Sequence, residues 1–222
     1  TVLEDAAKLV RRKEPNFSID TIPMDDSAVF DMLAAGKTSG VFQMESTGMT
    51  GVCVSLHPQS IEDLTAIVSL YRPGPMDNIP SYIKRKHGEE EITYLHPMLE
   101  PILKETYGIM IYQEQVMNIA RALGGYTMGG ADKLRKVMGK KMRDEIPKQR
   151  KMFMEGAVKN GIEEATAGAI FDQMEKFASY GFNKSHAAAY SLISYQTAYL
   201  KAHYPVEFMC AVMSLDITNT DK

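Results

Sequence analysis

Apolar residues recur at helical spacing along most of the chain, with polar and charged residues between them. This period is typical of amphipathic helices that bury one face. The segments predicted to be helical on this basis are residues 2–12, 28–35, 61–71, 109–123, 131–151, 162–177, 185–203 and 206–215. Residues 40–45 alternate instead, which is typical of a short strand or an extended segment. The pattern therefore predicts a mainly α, multi-helix domain with at most a few short strands.

Several local signals fix the predicted helix ends. Ser60 and Asp63 have the spacing of a capping box at a helix start. The turn signal at residues 72–75 (RPGP) ends that helix. The glycine pair Gly124 and Gly125 ends the helix over residues 109–123. Residues 81–106 are polar and are predicted to be a connection.

Composition excludes several classes of protein. The 222 residues carry 25 basic and 28 acidic side chains, a net charge of −3, so any affinity for nucleic acid must come from a local patch. Cys53 and Cys210 lie far apart and match no disulfide framework or zinc pattern, which favours the cytoplasm. No apolar run has the length of a membrane span, and no signal peptide is apparent. The chain begins at Thr1 without a Met, which favours a piece of a longer protein.

Positive charge is concentrated in one segment, the basic stretch (residues 133–151). It holds nine basic and two acidic residues, a local charge of +7. Helical spacing places Lys133, Lys136 and Lys140 on one stripe, and like charges in a stripe repel unless a polyanion lies along them. We therefore favour polyanion binding over the alternative, a solvated helix face. The nucleic-acid-binding residues predicted here are Lys133, Arg143 and Lys148.

Two flanking segments add to the case for phosphate. The glycine-rich loop at residues 124–130 leads into the basic stretch, where backbone N–H groups and a helix N-terminus favour anions. The aromatic turn (residues 180–186, YGFNKSH) places aromatic rings beside a lysine at a predicted helix start. Such rings stack on bases. The alternative, a core-anchored turn that buries Tyr180 and Phe182, is slightly favoured for each ring taken alone.

The chain shows no residues for the bond-making chemistry itself. Gly36 and Lys37 do not open a P-loop, because Asp31 stands where that motif needs glycine. The histidines have no metal-ligand spacing, and Asp25 and Asp26 fit helix capping better than metal binding. No catalytic residue and no metal ligand is therefore predicted within the chain.

Several long runs carry a specific family resemblance. They are GVFQMES (40–46), LYRPGP (70–75), YGIMIYQEQV (107–116), GGADKLRKVMGKK (129–141) and YGFNKSHAAAY (180–190). Together they resemble the α subunit of bacterial DNA polymerase III, the C-family replicative polymerases. The resemblance covers essentially the whole chain and points to the fingers, which follow the palm. It implies that the catalytic aspartates and the Mg²⁺ ligands lie outside this chain.

The resemblance also assigns residues to the incoming nucleotide. The nucleotide-binding residues that it implies are Arg135, Lys136, Lys140, Lys141, Tyr180, Phe182, Lys184 and His186. Lys136 departs from the family, which often has two arginines there, and this change keeps the charge but loses the bidentate geometry of a guanidinium.

The function implied is that of the fingers of a DNA-directed DNA polymerase, a nucleotidyltransferase. Residues 1–60 would form a palm-proximal connection and residues 61–222 the helical fingers. The expected partners are template–primer DNA, a deoxynucleoside triphosphate (dNTP), the remaining polymerase domains and replisome subunits, with no membrane. The chain alone is expected to be inactive. The alternatives are a non-catalytic helical module that binds the nucleic-acid backbone, and a scaffold domain whose charge only confers solubility.

Overall fold

A computed structural model describes residues 1–217, and in this range the fold consists of α-helices joined by turns and short 3₁₀ segments. The α-helices are α1 (Val2–Val10), α2 (Ser27–Ala34), α3 (Thr47–Leu56), α4 (Ile61–Leu70), α5 (Ile79–Lys86), α6 (Glu100–Leu103), α7 (Gln113–Gly124), α8 (Met128–Gly139), α9 (Ile146–Lys159), α10 (Glu164–Ala178), α11 (Lys184–His203) and α12 (Pro205–Asp216). No β-strand occurs among these described residues, and an isolated parallel bridge joins Tyr112 to Phe182. The predicted mainly α class is confirmed.

The chain divides into two compact units. Among the described residues, the first unit contains residues 1–68 and 187–217, and the second contains residues 69–186. The predicted division at residues 60 and 61 concerns the roles of the segments, and it stays a prediction.

In the first unit, α1 packs against α12. Ala6 and Val10 on α1 are buried with Leu200 and Phe208, which accounts for the apolar face seen in the sequence. Burial of such a face supplies most of the stability of a short helix.

Residues 40–45 are turns and not the predicted short strand. Gly40 and Gln43 have positive φ angles of 77° and 59°, which a strand does not accommodate. Val41 and Met44 are both fully buried. Their burial explains the apolar positions that suggested a strand.

The second unit contains an apolar core built mainly from α7, α8, α9 and α10. The helix predicted over residues 109–123 begins only at Gln113, because the backbone is still extended at Tyr112. Its predicted apolar face is confirmed, because four of its side chains are fully buried. They are Val116, Ile119, Ala120 and Leu123. The helix ends at Gly125, which adopts the left-handed conformation at φ 68°, as the glycine signal predicts.

Helices α7 and α9 approach each other at two glycines. A Cβ atom on Gly156 would lie 2.0 Å from the carbonyl oxygen of Gly124, a distance that no real contact reaches. Glycine at 156 therefore sets how closely these two helices pack.

The continuous helix predicted over residues 131–151 is wrong. The segment forms α8 and α9, separated by residues 140–145. Lys141 takes a left-handed φ of 51°, and Pro147 lies in the first turn of α9, where proline fits. Lys140 therefore lies beyond the end of α8 and does not continue the helical stripe of Lys133 and Lys136.

The segment predicted to be a polar connection, residues 81–106, is also more ordered than expected. It contains most of α5 and all of α6. Tyr82 and Leu103 are buried there, and such isolated apolar anchors give a weak periodic signal in a short helix.

Candidate functional site

The aromatic turn is fixed to the start of α7 by backbone hydrogen bonds. The amide of Phe182 donates to the carbonyl of Ile111 at 3.2 Å, and the amide of Gln113 donates to the carbonyl of Phe182 at 2.9 Å. Tyr180 is 46% exposed, and Phe182 is half-buried. The alternative in which both rings are buried is therefore wrong for Tyr180, whose ring remains available to a ligand.

Arg72 contacts both aromatic residues of the same turn through its guanidinium. Its Nη2 donates to the carbonyl of Tyr180 at 2.8 Å, and its guanidinium lies 4.4 Å from the centre of the Phe182 ring. Its Nε donates to the carbonyl of Ser69 at 2.9 Å. Burial lowers the pKa of Arg72. Sequence reasoning treated residues 72–75 only as a turn and missed this supporting role.

Gly74 provides the space for the Tyr180 ring. It has a φ of 99°, and a Cβ atom there would lie 2.6 Å from the ring. A side chain at 74 would therefore displace Tyr180 as well as strain the backbone.

Arg135 and Lys136 are neighbours on α8 and share one carboxylate. Asp132 accepts from Arg135 Nη2 at 2.7 Å and lies 2.7 Å from Lys136 Nζ. The hydrogen bond from Lys136, and next that from Arg135, lower the pKa of Asp132. Asp132 precedes the basic stretch by one residue, so the charge count omitted the acid that pairs with two of the predicted nucleotide ligands.

Gln113 joins Arg135 to the aromatic turn. Its side-chain Oε1 accepts from Arg135 Nη1 at 3.2 Å, and its Nε2 donates to the carbonyl of Gly181 at 3.0 Å. Sequence reasoning missed Gln113, because a glutamine at a helix start carries no distinctive pattern.

Lys184 opens α11 and is held by two acids. Its Nζ lies 2.8 Å from the Glu105 carboxylate, and its amide donates to Glu114 at 3.0 Å. Its Nζ also lies 5.4 Å from the centre of the Tyr112 ring. Glu114 lies in the first turn of α7, where its negative charge complements the dipole of that helix. The structure gives it an additional partner at the start of α11.

His186 follows Lys184 by two residues, in the first turn of α11. Its amide donates to the Asn183 side chain at 2.8 Å, and its exposed ring lies 5.6 Å from that of Phe182. Phe182 is thus flanked by Arg72 and His186.

Two more predicted residues border a groove beside the turn. Lys141 and Arg143 line a cavity of about 580 Å³ together with Lys176 and Tyr180. The acids Asp172 and Glu175 line it as well, so the groove carries both signs of charge.

The remaining predicted cations do not line this groove. Lys140 is exposed just after α8, Lys133 is exposed on α8, and Lys148 on α9 lies 2.6 Å from Glu145. Glu145 raises the pKa of Lys148 by accepting its hydrogen bond. The structure thus places Arg135 and the aromatic turn in one connected network and leaves Lys133 and Lys148 as separate surface cations.

Clusters of metal-ligating side chains and membrane-spanning helices are both absent from the part of the chain that the structure describes. Within residues 1–217, no group of three or more His, Cys, Asp or Glu side chains is arranged to hold a metal ion. Within the same range, each helix is too short or too polar to span a bilayer.

Comparison with known proteins identifies the class of this helical unit. The chain matches the model of the bacterial DNA polymerase III alpha subunit finger domain over residues 1–161. It belongs to this family. The DNA polymerase III subunit alpha of Thermus aquaticus is 52% identical over 228 residues, which cover the whole of this chain and 19% of that protein.

Two further relatives agree with this assignment. The DNA polymerase III subunit alpha of Escherichia coli K12 is 52% identical over 234 residues, covering all of this chain and 20% of the relative. The protein of the same name from Chlamydia trachomatis is 57% identical over 202 residues, covering 91% of this chain and 16% of the relative. This chain therefore spans about a fifth of the length of the curated relatives it matches.

Proposed function

We propose that this chain is the finger portion of a cytoplasmic DNA-directed DNA polymerase, and that it binds the triphosphate of an incoming dNTP and helps to position the nascent base pair. The family assignment supports the polymerase. One observation carries the finer proposal: Gln113 connects the guanidinium of Arg135 to the backbone of the aromatic turn. A cation suited to phosphate and a turn suited to a base thus belong to one network.

In this proposal the charged residues neutralise the triphosphate. Arg135 presents a planar guanidinium, and Lys136, Lys140 and Lys141 add point charges in the same part of the chain. Preorganised cations of this kind act most strongly as negative charge develops on the departing pyrophosphate. Lys184 would join them by exchanging the Glu105 carboxylate for a phosphate oxygen.

The aromatic turn would contact the base and the sugar. Tyr180 is exposed and supported by Arg72, so its ring is held in place without being covered. Phe182 and His186 complete this surface. Stacking of a base on an aromatic ring contributes about 1–3 kcal/mol. Closure driven by a correctly paired nucleotide would then give induced-fit specificity.

Other functions belong to parts of the polymerase outside this chain. We propose that the catalytic aspartates and the Mg²⁺ that they bind are supplied by the palm, with residues 1–60 leading from it and residues 61–222 forming the fingers. The metal would activate the attacking oxygen and neutralise the phosphates. The chain alone would therefore be inactive, and its further partners would be template–primer DNA and replisome subunits.

A second candidate function is a non-catalytic module that binds the nucleic-acid backbone. The exposed cations that favour it are Lys133, Arg143 and Lys148. Such contacts also fit a polymerase that holds template DNA, so the two functions differ in whether a nucleotide pocket exists.

The proposed function is tested by Arg135→Ala in the complete alpha subunit that carries this chain. Loss of a charge-assisted contact to the triphosphate should lower kcat/KM for the nucleotide by about 10- to 100-fold. The matched control is Arg12→Ala, which removes an exposed arginine from the first unit. An unchanged kcat/KM for Arg135→Ala would remove that residue from the site.

A further inference from the structure

We propose that Gln113 is a positioning residue that couples the phosphate-binding guanidinium of Arg135 to the base-contacting aromatic turn. This inference rests on the proposed function, because it concerns the regulation of the same site. Gln113 is not a catalytic residue here. It would act through Arg135 by fixing that side chain relative to the turn.

The carboxamide of Gln113 uses its acceptor and its donor on two different elements. Oε1 accepts from Arg135 on α8 at 3.2 Å, and Nε2 donates to the carbonyl of Gly181 at 3.0 Å. The backbone amide of Gln113 donates to Phe182 at 2.9 Å. A glutamine supplies both hydrogen-bonding roles at this distance, whereas a carboxylate supplies acceptors alone.

The absence of a side chain at position 181 allows this arrangement. A Cβ atom on Gly181 would lie 3.0 Å from Gln113 Cγ and 3.2 Å from the Phe177 ring. The aliphatic part of Gln113 therefore lies directly against the turn. A shift of the turn would therefore move the Gln113 side-chain carboxamide, whose oxygen accepts the hydrogen bond from Arg135.

The two partners of Arg135 have different effects on it. Asp132 accepts from Nε at 3.1 Å and from Nη2 at 2.7 Å, but it lies on the same helix and moves with it. Gln113 binds the remaining terminal nitrogen, Nη1, from a different element. Asp132 thus orients the guanidinium on α8, and Gln113 sets its position relative to the aromatic turn.

This geometry predicts a functional consequence. A correctly paired base that settles against the aromatic turn would stabilise the position of Gln113 and hence of Arg135. A mispaired base would displace the turn and leave the guanidinium less well placed for the triphosphate. Gln113 would therefore contribute to discrimination between nucleotides without contacting either the base or the phosphate.

The test uses two variants in the complete alpha subunit. Gln113→Met keeps a similar length but removes both hydrogen bonds. Gln113→Glu keeps an acceptor for Arg135 but places a carboxylate oxygen against the carbonyl of Gly181, which repels it. We expect each variant to lower kcat/KM for the correct nucleotide about 10-fold and to lower that for a mispaired nucleotide less. Gln59→Met, at an exposed position in the first unit, is the control and should change neither value.

A double-mutant cycle with Arg135→Ala separates positioning from general damage. If Gln113 acts through Arg135, Gln113→Met should cost little further activity once Arg135 is alanine. Independent losses that multiply, or equal losses for paired and mispaired nucleotides, would overturn the inference. So would a normal kcat/KM in Gln113→Met alongside a loss in Arg135→Ala. If Arg135→Ala itself has no effect, the proposed function fails first.

Discussion

Asp132 partly neutralises the positive charge that the sequence places on α8. It pairs with Arg135 and Lys136, and Glu105 pairs with Lys184, so three of the predicted phosphate ligands already contact an acid. These pairs hold the side chains in defined positions. They also reduce the positive potential that an incoming anion meets.

The change Asp132→Asn should therefore strengthen nucleotide binding in the complete alpha subunit. It removes a negative charge that competes with phosphate for Arg135 and Lys136, while the amide keeps a similar shape. We expect KM for the nucleotide to fall about two- to fivefold at low ionic strength, with the difference shrinking as salt is added. Steady-state kinetics across a salt series measures this.

A surface acid outside the site provides the control. Glu155→Gln removes the carboxylate that pairs with Lys151 on α9, and it should leave KM unchanged. A KM that rises in Asp132→Asn would instead mean that Asp132 acts mainly by holding Arg135 in place.

At the scale of elements, the close approach of α7 and α9 makes a separate prediction about stability. Gly156→Ala should destabilise the chain by about 3 kcal/mol, because the new Cβ atom would meet the carbonyl oxygen of Gly124 and the helices would have to separate. Urea unfolding of Gly156→Ala and of the unsubstituted chain measures the difference in their free energies of unfolding.

Gly129→Ala is the matched control for this substitution. Gly129 lies in α8 with open space around its Cβ position, so alanine there should be neutral or stabilise by up to about 1 kcal/mol. Equal stability of Gly156→Ala and the parent chain would contradict the close packing described for α7 and α9.

The sequence predicts long elements better than their interruptions. The apolar face of α7 and its end at Gly125 could be read directly, because both depend on local spacing and on glycine. The break between α8 and α9 was missed, because the left-handed turn at Lys141 carries no glycine at that position. Residues 40–45 were mistaken for a strand, because buried residues in consecutive turns also give apolar positions close together.

In the candidate site, too, some features are visible in the sequence and others appear only in the structure. The cations and aromatic residues were visible as unusual runs, since charge and ring content can be counted. Arg72, Gln113 and Asp132 were not predicted as parts of it, because their roles depend on contacts between segments far apart in the chain or on a residue just outside the counted stretch. Tertiary contacts of this kind leave no periodic pattern in one sequence.

At the scale of the whole molecule, the net charge of −3 hides strongly uneven charge. The proposed ligands Arg135, Lys141 and Lys184 all belong to the second unit, residues 69–186, together with the aromatic turn. A local site of this kind accounts for phosphate binding by a chain that is slightly acidic overall.

The central claim is that the aromatic turn and the cations near Arg135 form one nucleotide pocket. Hydrogen exchange of the complete alpha subunit on primed template DNA, with a primer that cannot be extended, tests it most directly. Adding the complementary dNTP should slow exchange in residues 128–141 and 180–186 together, while α3 in the other unit remains unchanged. Exchange in both segments that does not respond to the complementary dNTP would contradict the account and favour a module that binds only the nucleic-acid backbone.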